Sequence, residues 1–267
     1  MEILGYITSL FIGVSLGLTG GGGSILTVPV LVYLFGINPV LSTSYSLFIV
    51  GSTSLIGAIS NYRKNLVDVK IALLFGITSV ATVFSTRKFI IPYVPENLFT
   101  IGKYTVTHSL LIMVLFAGLM IMAARAMIKN GTNNAGEPQK KVQKANLVKL
   151  LSYGIAVGLA TGILGAGGGF LLIPTLVLFV GLTMKEAVGT SLLIIALNSL
   201  IGFTADIGHF VIDWFFLIKI TLIAIAGIFT GGAVSKNMNG DKLKEGFGWF
   251  VLVMGLYILV KEIFSDL

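Results

Sequence analysis

Apolar residues run through this chain in long blocks that carry no polar face. Neither a charged residue nor a histidine occurs from Ile3 to Tyr62, or from Leu150 to Met184. A surface helix of a soluble protein needs a polar face, whereas apolar runs of about 18 residues or more are typical of membrane spans. The pattern predicts an all-α polytopic membrane protein. Its apolar blocks are roughly 3–18, 24–36, 40–60, 67–86, 107–128, 147–181, 186–205, 213–235 and 246–264.

The blocks form an internal repeat with an offset of 145 residues, which needs no gap from Gly13 to Asp68. Matched pairs include Gly20 with Gly165, Gly23 with Gly168, Pro29 with Pro174, Ser46 with Ser191, Ser54 with Ser199 and Asp68 with Asp213. Shared apolar composition does not explain aligned Gly, Pro, Ser and Asp. We therefore divide the chain into a first membrane repeat (1–128), a linker (129–149) and a second membrane repeat (150–267).

The orientation of the two repeats depends on the first block of each, which glycines interrupt. If that block is a hairpin that enters and leaves on one side, each repeat crosses three times and the repeats are inverted. If it crosses the membrane, they are parallel. The polar, basic linker 129–149 is typical of a cytoplasmic segment. With the linker inside, the inverted arrangement places 13 of the 18 Lys and Arg residues inside and the parallel one 11.

We therefore expect inverted repeats, a common transporter plan, in the cell (inner) membrane. The loop at Arg63 is then cytoplasmic and the loop with His209 lies on the opposite side. In both arrangements Arg87 faces outward, and we interpret Arg63 as a charge that sets topology.

Composition excludes several classes of function. The net charge of +7 comes from residues in short breaks between apolar blocks, which indicates topology rather than a nucleic-acid partner. The chain has no Cys and two His, so we expect no cofactor and no metal site. The interior of the apolar blocks holds no nucleophile paired with a base, so we expect that the protein is not an enzyme. The expected partners are the lipid bilayer and a small anionic substrate. A homodimer is possible on this sequence.

Two glycine-rich segments carry the candidate chemistry, and we name them elbow 1 (20–24) and elbow 2 (165–169). Each Gly costs up to about 1 kcal/mol relative to Ala in a helix, so these runs predict a break followed by a short helix. Unpaired backbone at membrane depth is tolerated where it lines a cavity or is buried in protein, and free N–H groups at a helix start attract anions. The alternative role is close helix packing. The predicted substrate ligands are Gly21, Gly22, Gly23 and Ser24 in elbow 1 and Gly167, Gly168 and Gly169 in elbow 2. Packing is the role that we expect for Gly13, Gly17, Gly158 and Gly162.

Polar residues inside the later blocks are further candidates. Ser46, Thr190 and Ser191 could donate hydrogen bonds to an oxyanion, or could bond a carbonyl one turn back in their own helix. Asn198 is expected to face the bundle interior, as a ligand or as helix–helix contact. Asp206 is a candidate for proton coupling, with a solvated loop acid near His209 as the alternative.

The duplicated glycine elbow, followed by Pro and a Thr/Ser-Ser-Leu segment, resembles the sulfite exporter TauE/SafE family. The copy that begins at Gly158 is the better match, with GLATGILGAGGGFLLIPTLVLFVGLTMKEAVGTSLL. The first copy, GVSLGLTGGGGSILTVPVLVYLFGINPVLSTSYSLF, departs by having Ser44-Tyr45-Ser46 where the family has a Gly/Ala-Thr-Ser triplet. The resemblance spans nearly the whole chain. It implies an inner-membrane transporter of sulfite, sulfonates such as sulfoacetate, or related sulfur anions.

The leading hypothesis is thus a secondary transporter that moves a small sulfur-containing anion by alternating access between the two repeats. A passive anion channel, or a non-transporting membrane assembly subunit, is the alternative. Elbow 1 lacks the Lys that follows the glycines in a phosphate-binding loop, so ATP hydrolysis is not supported.

Overall fold

The computed structural model describes residues 2–21, 23–101, 104–129, 147–165, 167–235 and 240–265. These residues form almost only helices. In chain order the helices are α1 (Glu2–Thr19), α2 (Ser24–Tyr33), α3 (Pro39–Tyr62), α4 (Val69–Ser85), α5 (His108–Lys129), α6 (Leu147–Leu164), α7 (Gly169–Thr175), α8 (Met184–Asp206), α9 (Trp214–Ser235) and α10 (Gly240–Ser265). α4 continues through a π-helical turn (Thr86–Ile90) into a 3-10 turn (Ile91–Tyr93), and α7 continues through a π-helical turn (Leu176–Val180).

The first block of each repeat is broken at its elbow. α1 and α2 form a hairpin, because Gly23 packs against the backbone of Leu16 while Phe35 returns to Gly5. In the second repeat, Gly168 packs against Val157 and Thr161 of α6. These two residues stand 145 positions after Ile12 and Leu16, the residues that Gly23 contacts.

The residues that cap equivalent helices in the two repeats are also 145 positions apart. Asn38 caps α3 by accepting from the N–H of Val40, and Thr183 caps α8 by accepting from the N–H of Glu186. Asp68 accepts from the N–H of Ile71 and Asp213 from that of Phe216, at the starts of α4 and α9. An acceptor at this position satisfies an N–H group that the first helical turn leaves free.

The helices pack in pairs that follow the repeat. α1 packs against α9, and their repeat equivalents α6 and α4 pack against each other. α3 packs against α8, and α5 against α10. α3 and α8 run antiparallel, since Gly202 meets Leu47 near the start of α3 and Gly189 meets Asn61 near its end. These two helices are equivalent in the repeat. The inverted arrangement stays a prediction, and the opposite directions of α3 and α8 support it.

The outer surface is apolar and the interior holds many hydroxyl groups, as expected of a protein surrounded by lipid. Side chains that are more than half exposed include Phe11, Ile77, Phe215 and Leu222. Within the described residues, four helices are long and apolar enough to cross a membrane: Pro39–Tyr62, Val69–Tyr93, Met184–Asp206 and Trp214–Val234. The prediction of an all-α polytopic membrane protein is confirmed.

The connection between α4 and α5 contains a short antiparallel hairpin that the apolar pattern did not predict. β1 (Asn97–Ile101) pairs with β2 (Tyr104–Thr107), with Asn97 opposite Thr107 and Ile101 opposite Tyr104. Of the predicted linker 129–149, residues 130–146 lie outside the described part of the chain.

Candidate functional site

The two elbows meet inside the bundle. A Cβ on Gly21 would lie 2.5 Å from the carbonyl oxygen of Gly169, and one on Gly169 would lie 2.5 Å from the Cα of Gly21. Both residues are buried, so the two backbones touch directly. Gly22 lies outside the described residues.

Each elbow also packs against the opposite repeat. Gly20 and Gly165 both have positive φ, +71° and +66°, and occupy equivalent positions. Gly20 lies against Val188 near the start of α8, and Gly165 lies against Thr43 near the start of α3. Val188 and Thr43 are themselves related by the offset of 145. Since L residues with a side chain rarely adopt this φ, glycine is required here by conformation as well as by space.

The middle of elbow 2 lies halfway along the two central helices. A Cβ on Gly167 would lie 2.9 Å from Ile195, 3.0 Å from Val50 and 3.1 Å from the Ser199 hydroxyl oxygen. Val50 is at the middle of α3 and Ile195 at the middle of α8. Ser199 is a polar neighbour of the elbow that sequence reasoning did not select, although its match with Ser54 across the repeat was a signal.

Three of the predicted hydroxyl ligands bond the protein itself. Ser24 donates to the Gly21 carbonyl at 2.7 Å, and Ser191 lies 2.9 Å from both the Gly20 and Val188 carbonyl oxygens. Thr190 accepts from the backbone N–H of Asp68 at 2.9 Å. The Ser191 and Thr190 bonds link elbow 1 and the loop before α4 to α8, whereas the Ser24 bond stays within elbow 1.

Tyr45 is the repeat equivalent of Thr190, and its hydroxyl makes the equivalent bond. The Tyr45 hydroxyl accepts from the backbone N–H of Asp213 at 2.7 Å. Tyr45 stands 145 residues before Thr190, and Asp213 the same distance after Asp68. The two repeats thus keep this contact with different side chains.

Ser46 differs from its repeat equivalent, Ser191. Its hydroxyl is fully buried and has no hydrogen-bond partner among the described residues. Further buried hydroxyls of α3 and α8 without such a partner are Ser44, Thr53, Ser54 and Ser199. A buried hydroxyl without a partner costs about 1–3 kcal/mol. Of these hydroxyls, that of Ser199 lies against Gly167 of elbow 2, where a polar ligand could satisfy it.

Asn198 is fully buried and joins α8 to α4. Its Nδ2 donates to the Ser79 hydroxyl at 2.6 Å, while its Oδ1 has no partner among the described residues. The bond to Ser79 directs the amide toward α4.

Asp206 is the last residue of α8 and only 2% exposed, so its interpretation as a solvated loop acid is wrong. Its Oδ2 accepts from Nη1 of Arg87 at 3.0 Å. Arg87 is fully buried, which the apolar pattern did not reveal, because a cation beside Lys88 at the end of a block fits a topology charge equally well. His209 is exposed, and its contact with Asp206 is a backbone hydrogen bond of 3.1 Å.

The Arg87–Asp206 pair lies in the wall of a cavity of about 680 Å³, which we name the polar cavity. The start of α3, the end of α4, the start of α5 and the end of α8 meet around it. Its polar lining residues are Asn38, Arg87, Glu96, Asn97, Thr107, His108, Ser109, Asp206 and His209. Among the described residues, we find no cluster of three metal-ligating side chains.

A helical bundle with broken helices that meet in its interior, and an apolar surface around buried polar groups, is typical of membrane transporters. The sequence comparisons agree with this class. The family model of the sulfite exporter TauE/SafE matches residues 6–258. The chain belongs to this family.

Related proteins carry transporter names. A probable membrane transporter protein of Xylella fastidiosa (strain 9a5c) is 27% identical over 251 residues, which cover 93% of this chain and 91% of that protein. The probable membrane transporter protein YunE of Bacillus subtilis (strain 168) is 25% identical over 276 residues, which cover 97% of each chain. No solved structure matches the chain.

Proposed function

We propose that this protein is a secondary transporter that carries a small sulfur-containing anion, such as sulfite or a sulfonate like sulfoacetate, by alternating access. The anion binds beside the two elbows, between α3 and α8. The linker 129–149 is cytoplasmic and the polar cavity opens on the opposite face. One observation carries the proposal: the elbows meet at Gly21 and Gly169, and elbow 2 lies against Ser199 of α8, a buried hydroxyl that has no partner among the described residues.

Helix-terminus chemistry explains why an anion fits this place. The first N–H groups of α2 have no acceptor within the helix, and Gly23 offers them no side-chain cap. Such groups attract negative charge, more strongly where water is excluded. Hydroxyl and N–H donors together can bind an oxyanion and still release it, as transport requires.

Flux measurements in liposomes test the reaction. Purified protein should take up ³⁵S-labelled sulfite or sulfoacetate with saturable kinetics, and unlabelled anion on the opposite side should accelerate exchange. Liposomes with Gly168→Leu protein are the control, because Gly168 has a φ of +68° and lies against Thr161, where a leucine has no space. Non-saturable flux without acceleration would establish a channel instead. Transport of chloride without any of the sulfur-containing anions would refute the sulfur-anion assignment.

The pair Ser46 and Ser191 tests the site. Ser46→Ala removes a donor without a protein partner and should weaken substrate binding by about 0.5–3 kcal/mol, with little change in stability. Ser191→Ala removes the bond to the Gly20 carbonyl and should lower the unfolding temperature as well. The measurements are the half-saturation constant for sulfite and the unfolding temperature in detergent. Full affinity in Ser46→Ala would contradict binding at these hydroxyls.

A further inference from the structure

Lys219 is the only charged residue of the apolar span Trp214–Val234, and its side chain is exposed on the outer surface of the bundle. Phe215 and Leu222, which precede it by four residues and follow it by three, are 81% and 61% exposed. Residues at these spacings share one face of a helix. Lys219 is therefore a cation among side chains that face lipid.

Lys219 has no carboxylate partner within the part of the chain that the structure describes. Asp213, the acid closest to it in the sequence, accepts from the N–H of Phe216 and caps α9. A charged group is costly in hydrocarbon, and a lysine without a counter-ion there extends toward the headgroups. A negative charge at the level of the headgroups would stabilise this ammonium group.

The ammonium group of Lys219 leans toward the start of α9. Its Nζ lies 6.0 Å from the ring centre of Phe215, which is one turn nearer the start of the helix. Helical side chains generally point in this direction. Lys219 stands five residues after Trp214, roughly 7.5 Å along the helix axis. The lean therefore brings the charge closer to the membrane surface at which α9 begins.

Tyr6 of α1 lies beside this ammonium group, and we name the two side chains, Tyr6 and Lys219, the seam site. α1 and α9 approach closely, since Gly13 meets the backbone of Ala224. Nζ of Lys219 lies 4.6 Å from the ring centre of Tyr6 and donates to its hydroxyl oxygen at 3.1 Å. Because the hydroxyl accepts this bond, its own proton is left to donate, and Tyr6 makes no other hydrogen bond among the described residues.

The seam site thus offers ammonium N–H groups and one O–H group to a ligand at the lipid surface. Phosphate oxygens accept from both kinds of donor, and lysine binds phosphate as a point charge. A free anion would have to leave water for a place flanked by the exposed side chains of Ile7 and Phe215. A phospholipid brings acyl chains for these apolar side chains together with its phosphate. A zwitterionic headgroup carries its own cation, so a lipid with a net negative charge fits better.

We infer that the seam site binds the phosphate of an anionic phospholipid, in the leaflet at which α1 and α9 begin. Lys219 neutralises the phosphate, and the Tyr6 hydroxyl donates a hydrogen bond to it. The bound lipid bridges α9 and α1, the helix that leads into elbow 1. This inference goes beyond the proposed function and does not depend on the transported anion.

Brominated lipids, which quench a fluorophore on contact, test the seam site in the full chain. The Cys-free chain receives one bimane-labelled cysteine, as Leu222→Cys beside the seam site or as Ile77→Cys on α4, where the side chain is 67% exposed. Each protein is reconstituted into phosphatidylcholine vesicles that contain brominated phosphatidylglycerol. At position 222, phosphatidylglycerol should bind about five-fold more strongly than phosphatidylcholine, the contribution expected of one lysine near a membrane surface. At position 77 the two lipids should bind equally.

Substitutions in the Leu222→Cys protein assign the preference to the seam site. Lys219→Gln should abolish it, Lys219→Arg should retain it, and Tyr6→Phe should reduce it. Lys88→Gln is the matched control and should have no effect. Lys88 is also exposed and lies 5.4 Å from the centre of an aromatic ring, that of Phe84.

An equal preference at positions 222 and 77, or a preference that survives in Lys219→Gln, would overturn the lipid site. Loss of the preference in millimolar inorganic phosphate would show that the site binds free phosphate, which also overturns it. The comparison of the two positions needs no change at Lys219, so it decides the question even if Lys219→Gln does not fold.

Discussion

Replacing Gly21 by alanine tests whether contact between the elbows stabilises the fold. The new Cβ would lie 2.5 Å from the carbonyl oxygen and 2.6 Å from the carbonyl carbon of Gly169, where ordinary contact begins at 3.4 Å. The two backbones must separate by roughly 0.9 Å, and overpacking of this kind costs about 1–3 kcal/mol. No rotamer change can relieve the contact, because both atoms belong to the main chain. The φ of Gly21 is not positive, so the penalty is steric alone.

Gly118→Ala is the matched control for this substitution. Gly118 lies within α5, and a Cβ there would meet no heavy atom within 4 Å. Alanine is preferred to glycine in a helix by up to about 1 kcal/mol, so this variant should be as stable as the unaltered protein or more stable. Thermal unfolding in one detergent, monitored by tryptophan fluorescence, gives the unfolding temperatures of the two variants. We expect Gly21→Ala to lower the unfolding temperature by about 2–12 °C, since 1 kcal/mol corresponds to about 2–4 °C in a chain of this size. Equal unfolding temperatures for the two variants would refute the elbow contact.

Two further predictions concern the fold. Tyr45→Phe removes the acceptor for the Asp213 N–H and should destabilise the protein by about 1 kcal/mol, whereas Tyr62→Phe, at a side chain 61% exposed, should have no effect on the unfolding temperature. Single cysteines at positions 63 and 209 of this Cys-free chain should react with an impermeant maleimide from opposite sides of the membrane, and labelling of both from one side would contradict the inverted arrangement.

The apolar blocks and the offset of 145 predict most of the fold, because bilayer solvation ties hydropathy directly to helices. Blocks 40–60 and 186–205 correspond to α3 and α8, and the acids Asp68 and Asp213 begin helices as their matched positions indicate. The hairpin β1–β2 was missed because it lies between two blocks, where hydropathy carries no signal. Close packing of Gly13 against Ala224 and of Gly158 against Ser79 agrees with the packing role expected for these glycines.

The site was less predictable, because a hydrogen bond depends on which helices become neighbours. Ser46 and Ser191 look equivalent in the sequence, yet Ser191 bonds the Gly20 carbonyl and Ser46 has no partner among the described residues. Arg87 and Asp206 are 119 residues apart, and no local pattern links them. Only the packing of α4 on α8 brings the two side chains together.

The two repeats share their helix packing and differ in charge, and this difference bears on how the two membrane faces act. Gly20 and Gly165 share their left-handed conformation and contact equivalent residues. Gly23 and Gly168 do not share theirs, with φ of −68° and +68°, and Ser191 bonds the Gly20 carbonyl where Ser46 has no partner among the described residues. At the ends of α3 and α8, however, Arg87 and Asp206 face a cavity where the opposite end has Gly232 and Asn61. A transporter without an energy input cannot change the equilibrium distribution of its substrate, but it can bind that substrate with different affinity at each face. Such a difference is therefore expected to be largest where the charges depart from the repeat.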